Sequence, residues 1–129
     1  FEPGKKPMST MAPTIIFDKD DKLFLITGSP GGSDIPAAIL RVITGVIDFD
    51  LDIGEATMLP RIHKDWPYTG LEHERAVSRD IVRRLKSMGH ETEYETTIGS
   101  TQSIHIVDGI NNGFADLRRP NAGVSVQSN

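Results

Sequence analysis

The hydrophobic pattern changes period several times along the chain. Thr14 to Phe17 (TIIF) and Leu23 to Thr27 (LFLIT) are short β-rich runs separated by the polar DKDDK, which supplies the turn residues of a hairpin. Both runs are continuously apolar, so the pattern predicts a strand pair covered on both faces. The period then lengthens. Ile35, Ile39, Val42, Ile43, Val46 and Ile47 fall at helical spacing and predict one buried helix face, starting near Ser33 or Asp34 as N-cap, with Pro36 in the first turn. Asp52 and Glu55, three residues apart as in a capping box, open a second short helix that Pro60 ends. The stretch RIHKDWPYTGLEHE reads as irregular or weakly extended. Ser78 caps a third helix, RDIVRRLKSM, with Ile81, Val82, Leu85 and Met88 as its apolar stripe and Gly89 as its stop. Three strand candidates follow, ETEYETT, STQSIHIV and INNGFADLR, with Asp108-Gly109 as a tight turn between the last two. The opening FEPGKKPMSTMAP and the tail PNAGVSVQSN read as loops. This order lacks regular βαβ alternation and predicts an α+β chain of mainly antiparallel sheet with packed helices, part of a layered sandwich.

Composition narrows the class. A chain of 129 residues, 37% hydrophobic and 25% charged, fits one globular domain. The net charge of -4 gives no electrostatic reason to expect nucleic acid or an anionic membrane as partner. Without cysteine there is no disulfide framework, thiolate nucleophile or cysteine metal site. The longest apolar stretch, IPAAILRVITGVIDF, is interrupted by Arg41 and too short to span a bilayer, and FEPGKKP lacks the apolar core of a signal peptide. Because the first residue is Phe1 rather than Met, the chain is expected to be a processed product or a fragment of something longer.

The chemistry concentrates in two loops. TGSPGGSDIP, residues 27 to 36, places adjacent glycines where a strand hands over to a helix, so consecutive N–H groups can converge on one point. Such a nest stabilises a phosphate, a carboxylate or the oxyanion of an attacked carbonyl, although a ligand-free turn explains the same pattern. A Walker lysine and the GxGxxG spacing are both absent. In PMSTMAPT, the adjacent hydroxyls of Ser9 and Thr10 can jointly hold a carboxylate, or serve as ordinary loop polar groups. His63, His73, His90 and His105 show no paired-ligand spacing and are read as surface or structural, with no metal or cofactor expected. Asp48, Asp50 and Asp52 fall between two helices, where turn and capping roles account for them.

Five blocks taken in order, PGKKPMSTMAPTIIF, FLITGSPGGSDIP, VIDFDLDIGEATMLPRIHKDW, IGSTQSIHIV and GFADLRRPNAG, resemble the C-terminal part of the small subunit of γ-glutamyltransferases. The resemblance implies an N-terminal-nucleophile (Ntn) hydrolase, an αββα sandwich made as a precursor that cleaves itself into a large and a small subunit. In that family the small subunit's N-terminal threonine attacks the γ-glutamyl carbonyl of glutathione or a related amide. The acyl group then passes to water, an amino acid or a peptide. By this resemblance Gly31 and Gly32 supply the oxyanion hole, and Ser9 and Thr10 bind the substrate α-carboxylate. Pro60, Arg61 and His63 match a PR-x-H block, and STQS and D-x-RR match later blocks assigned to fold and subunit packing.

Residues 1–129 are therefore expected to be a single, incomplete domain of the small, catalytic subunit. The nucleophile, the groups holding the α-amine and the large subunit's arginine are expected outside it, and the isolated chain is expected to be inactive. KDWPYTGLEHE departs from the family's usual segment. A related Ntn acylase, of glutaryl-cephalosporin or poly-γ-glutamate type, and a non-catalytic standalone domain are the other readings. The expected partners are the large subunit and the N-terminal part of the small subunit, with self-association of the piece through its uncovered faces. The resemblance implies a periplasmic or extracellular location.

Overall fold

In the computed structural model, which describes residues 2–68 and 70–125, the first strands form as the apolar runs predict. β1 (Thr14–Phe17) and β2 (Leu23–Gly28) pair antiparallel, with Thr14 opposite Thr27. Asp18 closes the turn by accepting from the amides of Asp20 and Lys22 at 2.8 and 2.9 Å. A 3₁₀ turn, Gly32–Asp34, leads into α1 (Ile35–Phe49), and α2 (Ile53–Met58) follows. The chain continues through β3 (Ile62–His63), β4 (Gly70–Glu74), α3 (Arg79–Ser87), β5 (Glu91–Glu95), β6 (Gln102–Val107) and β7 (Ile110–Ala115). Among the described residues one sheet runs β1-β2-β6-β7, antiparallel throughout, and a second runs β3-β4-β5. Among the described residues no helix is long and apolar enough to cross a membrane.

The core lies where α1 and α2 meet the four-stranded sheet. Leu25, Val42, Val46, Ile53 and Ala56 are buried together, with Phe24, Ile43 and Phe114 packed around them. Burying a Val, Leu or Ile side chain contributes about 1.5–3 kcal/mol, so these positions carry much of the apolar stabilisation. Gly45 permits the close approach of the two helices: a Cβ there would lie 2.9 Å from the Cβ of Ala56. Local signals act as the sequence indicates. Asp52 accepts from the Glu55 amide at 2.8 Å while the Glu55 carboxylate accepts from the Asp52 amide at 3.2 Å, a complete capping box. Asp108 and Gly109 both have positive φ, 51° and 77°, as a two-residue hairpin turn requires.

Several expectations fail. β1 is an edge strand whose Ile15 and Phe17 are 60% and 58% exposed, so the first hairpin is not covered on both faces among the described residues. Ile47 points outward because the buried stripe of α1 runs through Ala38 and Gly45, small residues that let α1 seat closely. Asp34 makes no side-chain cap, since the 3₁₀ turn already continues into α1. Helix α3 starts at Ser78 and stops at Gly89 (φ 90°), yet buries none of its apolar residues. The stretch read as irregular contains β4, the central strand of the second sheet, which pairs parallel with β5 through α3. Its polar sequence hides it because its buried Glu74 is held by arginine rather than by apolar packing.

Candidate active site

Strand β2 delivers the chain into Ser29-Pro30-Gly31-Gly32, and the backbone there needs glycine. Gly31 has φ 142° and ψ 11°, and Gly32 has φ 60°. A Cβ on Gly31 would sit 3.1 Å from the Cα of Gly99, itself at φ 65°. Ser29 ties the two loops together: its hydroxyl donates to the Pro30 carbonyl at 2.7 Å and accepts from the Ser100 amide at 2.9 Å. Among the described residues no group accepts from the Gly31 or Gly32 amide. The loop thus holds two adjacent donors open next to the start of α1.

The second sequence candidate comes to the same place. Thr10 Oγ1 donates to the Gly32 carbonyl at 2.6 Å across 22 residues of chain. Ser9, one residue earlier, is exposed and accepts only a long 3.5 Å contact from the Met11 amide. Thr10 thereby joins the loop that carries Ser9 to the Gly31-Gly32 turn. Asp34 lies close behind Gly31, and both line a cavity of about 290 Å³ with Gly99, Arg118 and Arg119.

Behind this surface is a buried ionic network. The Arg61 side chain is 1% exposed and donates to the carbonyls of Thr57 and Ile98 at 3.0 and 2.9 Å, to Thr101 Oγ1 at 3.2 Å, and to Asp116 at 2.8 Å. Arg118 makes a two-pronged pair with Glu74, both contacts at 2.7 Å, and also donates to Asp116 at 3.2 Å. Glu74 further accepts from the Arg61 and Ile98 amides at 2.9 and 3.1 Å. Two cations thus face two anions, and nearly every buried polar atom has a partner; Arg61 Nε is an exception. The network clamps the end of α2, β4, and the segments flanking β6 and β7. Arg61, Thr101, Asp116 and Arg118 belong to the PR-x-H, STQS and D-x-RR blocks, so the assignment of those blocks to the fold agrees with the geometry.

Its pH behaviour has a definite sign. Burial pushes the Glu74 and Asp116 carboxyls up, but hydrogen bonds and charge from Arg118, Arg61 and nearby amides outweigh it, holding both below the usual carboxylate range. Their stabilisation is fully present above the unfolded value of about 4 and is lost as pH falls through their lower folded values. Asp34 and Glu72 go the other way: burial and neighbouring acids raise both, against the partial relief of His63. Their ionised forms disfavour the fold, so stability rises as pH falls from their raised values toward about 4. The unfolding midpoint of the full protein in chelator-containing buffer, followed by circular dichroism against pH, is expected to climb slightly on mild acidification and then collapse below about pH 4. Asp34→Asn is expected to flatten the climb and spare the collapse.

The glycine loop, the two-sheet α+β arrangement and the buried network define part of an Ntn-hydrolase sandwich. The chain belongs to the gamma-glutamyltranspeptidase family: the model of that family matches residues 1–126. It is 41% identical over 117 residues to the glutathione hydrolase proenzyme of Escherichia coli, covering 90% of this chain and 20% of that protein. The corresponding proenzyme of Bacillus subtilis is 36% identical over 128 residues, 97% of this chain and 22% of that protein. A solved gamma-glutamyltranspeptidase mutant of Helicobacter pylori superposes with a TM-score of 0.85 at 35% identity, over 92% of this chain and 66% of that one. The chain thus spans about a fifth of the length of these two curated relatives.

Proposed function

We propose that this chain is the C-terminal portion of the small, catalytic subunit of a γ-glutamyltransferase and glutathione hydrolase. The complete protein cleaves γ-glutamyl amides and passes the γ-glutamyl group to water, amino acids or peptides. The acyl group is carried on an N-terminal threonine outside this segment. When that threonine attacks the γ-carbonyl, negative charge develops on the carbonyl oxygen, and the Gly31 and Gly32 amides donate to it. The Thr10 to Gly32 hydrogen bond carries the reading, because it couples the carboxylate-binding loop to the oxyanion loop. Fixing those two loops fixes the distance between the substrate's α-carboxylate and its reacting carbon, which is the positioning that acyl transfer needs.

The proton count divides the work of the two hydroxyls. Thr10 has one hydroxyl proton, and the Gly32 carbonyl holds it. Donation to the α-carboxylate therefore falls first to Ser9, whose proton is uncommitted among the described residues. In the complete protein, Ser9→Ala is expected to raise KM for a chromogenic γ-glutamyl anilide by roughly tenfold or more, the value of a hydrogen bond to a charged group, with kcat little changed. An unchanged KM removes the carboxylate role. Failure of the complete protein to hydrolyse γ-glutamyl anilides at all, while it hydrolyses a glutaryl anilide lacking the α-carboxylate, removes the γ-glutamyl reading itself.

The proposed partners are the large subunit and the remainder of the small subunit. Met8, Met11, Trp66 and Tyr68 are 72–96% exposed, and exposed Ile15 and Phe17 lie on edge strand β1. Met8 and Met11 flank Ser9 and Thr10, and apolar groups this exposed are the surface a covering chain would bury. A periplasmic or extracellular location is proposed from the family resemblance.

A further inference from the structure

We propose that Asp34, His63 and Glu72 form a site for a divalent transition metal of the Zn²⁺ class, tying the end of the glycine loop to the second sheet. Asp34 lies 29 residues before His63, and Glu72 reaches His63 only through strand pairing, so no ligand spacing announces the group. Register brings two of them together: His63 on β3 stands directly opposite Glu72 on β4. Asp34, in the turn before α1, completes a group in which one ligand atom from each residue lies within 4.8 Å of the others. Asp65 Oδ1 lies 3.5 Å from His63 Nε2 and stands beside this group rather than within it.

The His63 ring points to a ligand. Its side chain is 9% exposed, and Nε2 is buried without a hydrogen-bond partner among the described residues. Leaving such an atom unpaired costs about 1–3 kcal/mol. Its separations from Asp34 Oδ1 and Asp65 Oδ1, 3.7 and 3.5 Å, are long for a hydrogen bond. They are close to the edge of a tetrahedron: ligands bonded at about 2.0–2.1 Å to one metal stand roughly 3.4 Å apart. Charge points the same way, since three carboxylates meet one imidazole and a dication offsets more of that charge than a protonated ring can.

The donor set selects the metal. One imidazole with carboxylates suits Zn²⁺ and neighbouring transition metals, whereas Ca²⁺ takes six to eight oxygens and Mg²⁺ keeps several waters. Three protein ligands leave one position for water, and because the ligands join a loop to two strands the role proposed is structural. The metal would pin the residue three positions after Gly31 to β3 and β4. The site is separate from the Gly31 and Gly32 amides, and its test needs no turnover.

The complete protein, stripped with chelator, is titrated with Zn²⁺ by calorimetry, and metal uptake is counted by mass spectrometry. One Zn²⁺ per copy is expected, with a higher unfolding midpoint. Co²⁺ is expected to give the intense visible bands of a tetrahedral site. His63→Gln and Asp34→Asn are each expected to weaken Zn²⁺ binding more than about tenfold and abolish those bands. Glu72→Gln serves as a further isosteric variant, with folding followed by circular dichroism. Absence of stoichiometric uptake, uptake unaltered in folded variants, or Ca²⁺ binding as tight as Zn²⁺ overturns the proposal.

Discussion

Gly31→Pro in the complete protein is expected to cut turnover of a chromogenic γ-glutamyl anilide by about a hundredfold or more, the loss typical of one oxyanion-hole donor. Proline removes the amide proton and cannot adopt the φ of 142° found at Gly31, so the variant both deletes a donor and moves its neighbour. Gly32→Ala separates these effects. It keeps the amide, and a Cβ there meets nothing within 4 Å, so only the left-handed conformation at φ 60° is penalised, by about 1–2 kcal/mol. Turnover is therefore expected to fall much less for Gly32→Ala than for Gly31→Pro. Equal turnover in Gly31→Pro and the parent removes the oxyanion assignment, and equal losses in both variants make loop shape, rather than the missing donor, the cause.

The second large effect is on stability. Asp116→Asn is expected to cost about 3–5 kcal/mol, read from the denaturant midpoint of the complete protein. Asp116 is fully buried and accepts from Arg61, Arg118 and the Thr101 amide, so an asparagine NH₂ would face donors at one of its two oxygen positions. It would also leave Arg61, which is almost fully buried, without its close anion. The surface pair of Lys5 and Glu2, 72% and 68% exposed, is the control: Glu2→Gln should leave the midpoint unmoved. A small change for Asp116→Asn would mean that Glu74 alone suffices to hold both arginines.

These expectations rest on features of unequal legibility in the sequence. The capping box at Asp52, the stop at Gly89 and the Asp108-Gly109 turn are written in residues close together, so local chemistry reveals them. The glycine turn after β2 is legible in Gly31-Gly32 themselves, and the resemblance singles out the loop at Ser9 and Thr10 that meets it. Strand β4 was not legible, because GLEHE has a single large apolar residue and owes its place to an arginine 44 positions away. The parallel pairing of β4 with β5 is likewise hidden, since its crossover helix α3 shows a clear stripe yet buries none of it among the described residues. The approach of Asp34, His63 and Glu72 depends on strand register and a loop returning from far along the chain, neither of which spacing can display.

The central claim is that Gly31 and Gly32 hold the reacting oxyanion while Ser9 and Thr10 hold the carboxylate of the same substrate. A crystal structure of the complete protein, trapped covalently by a γ-glutamyl-mimicking electrophile, measures this directly. The account predicts both glycine amides about 2.7–3.1 Å from the oxygen on the attacked carbon, with the Ser9 hydroxyl on the α-carboxylate. Amides turned away from that oxygen, or a carboxylate bound away from Ser9 and Thr10, would contradict it.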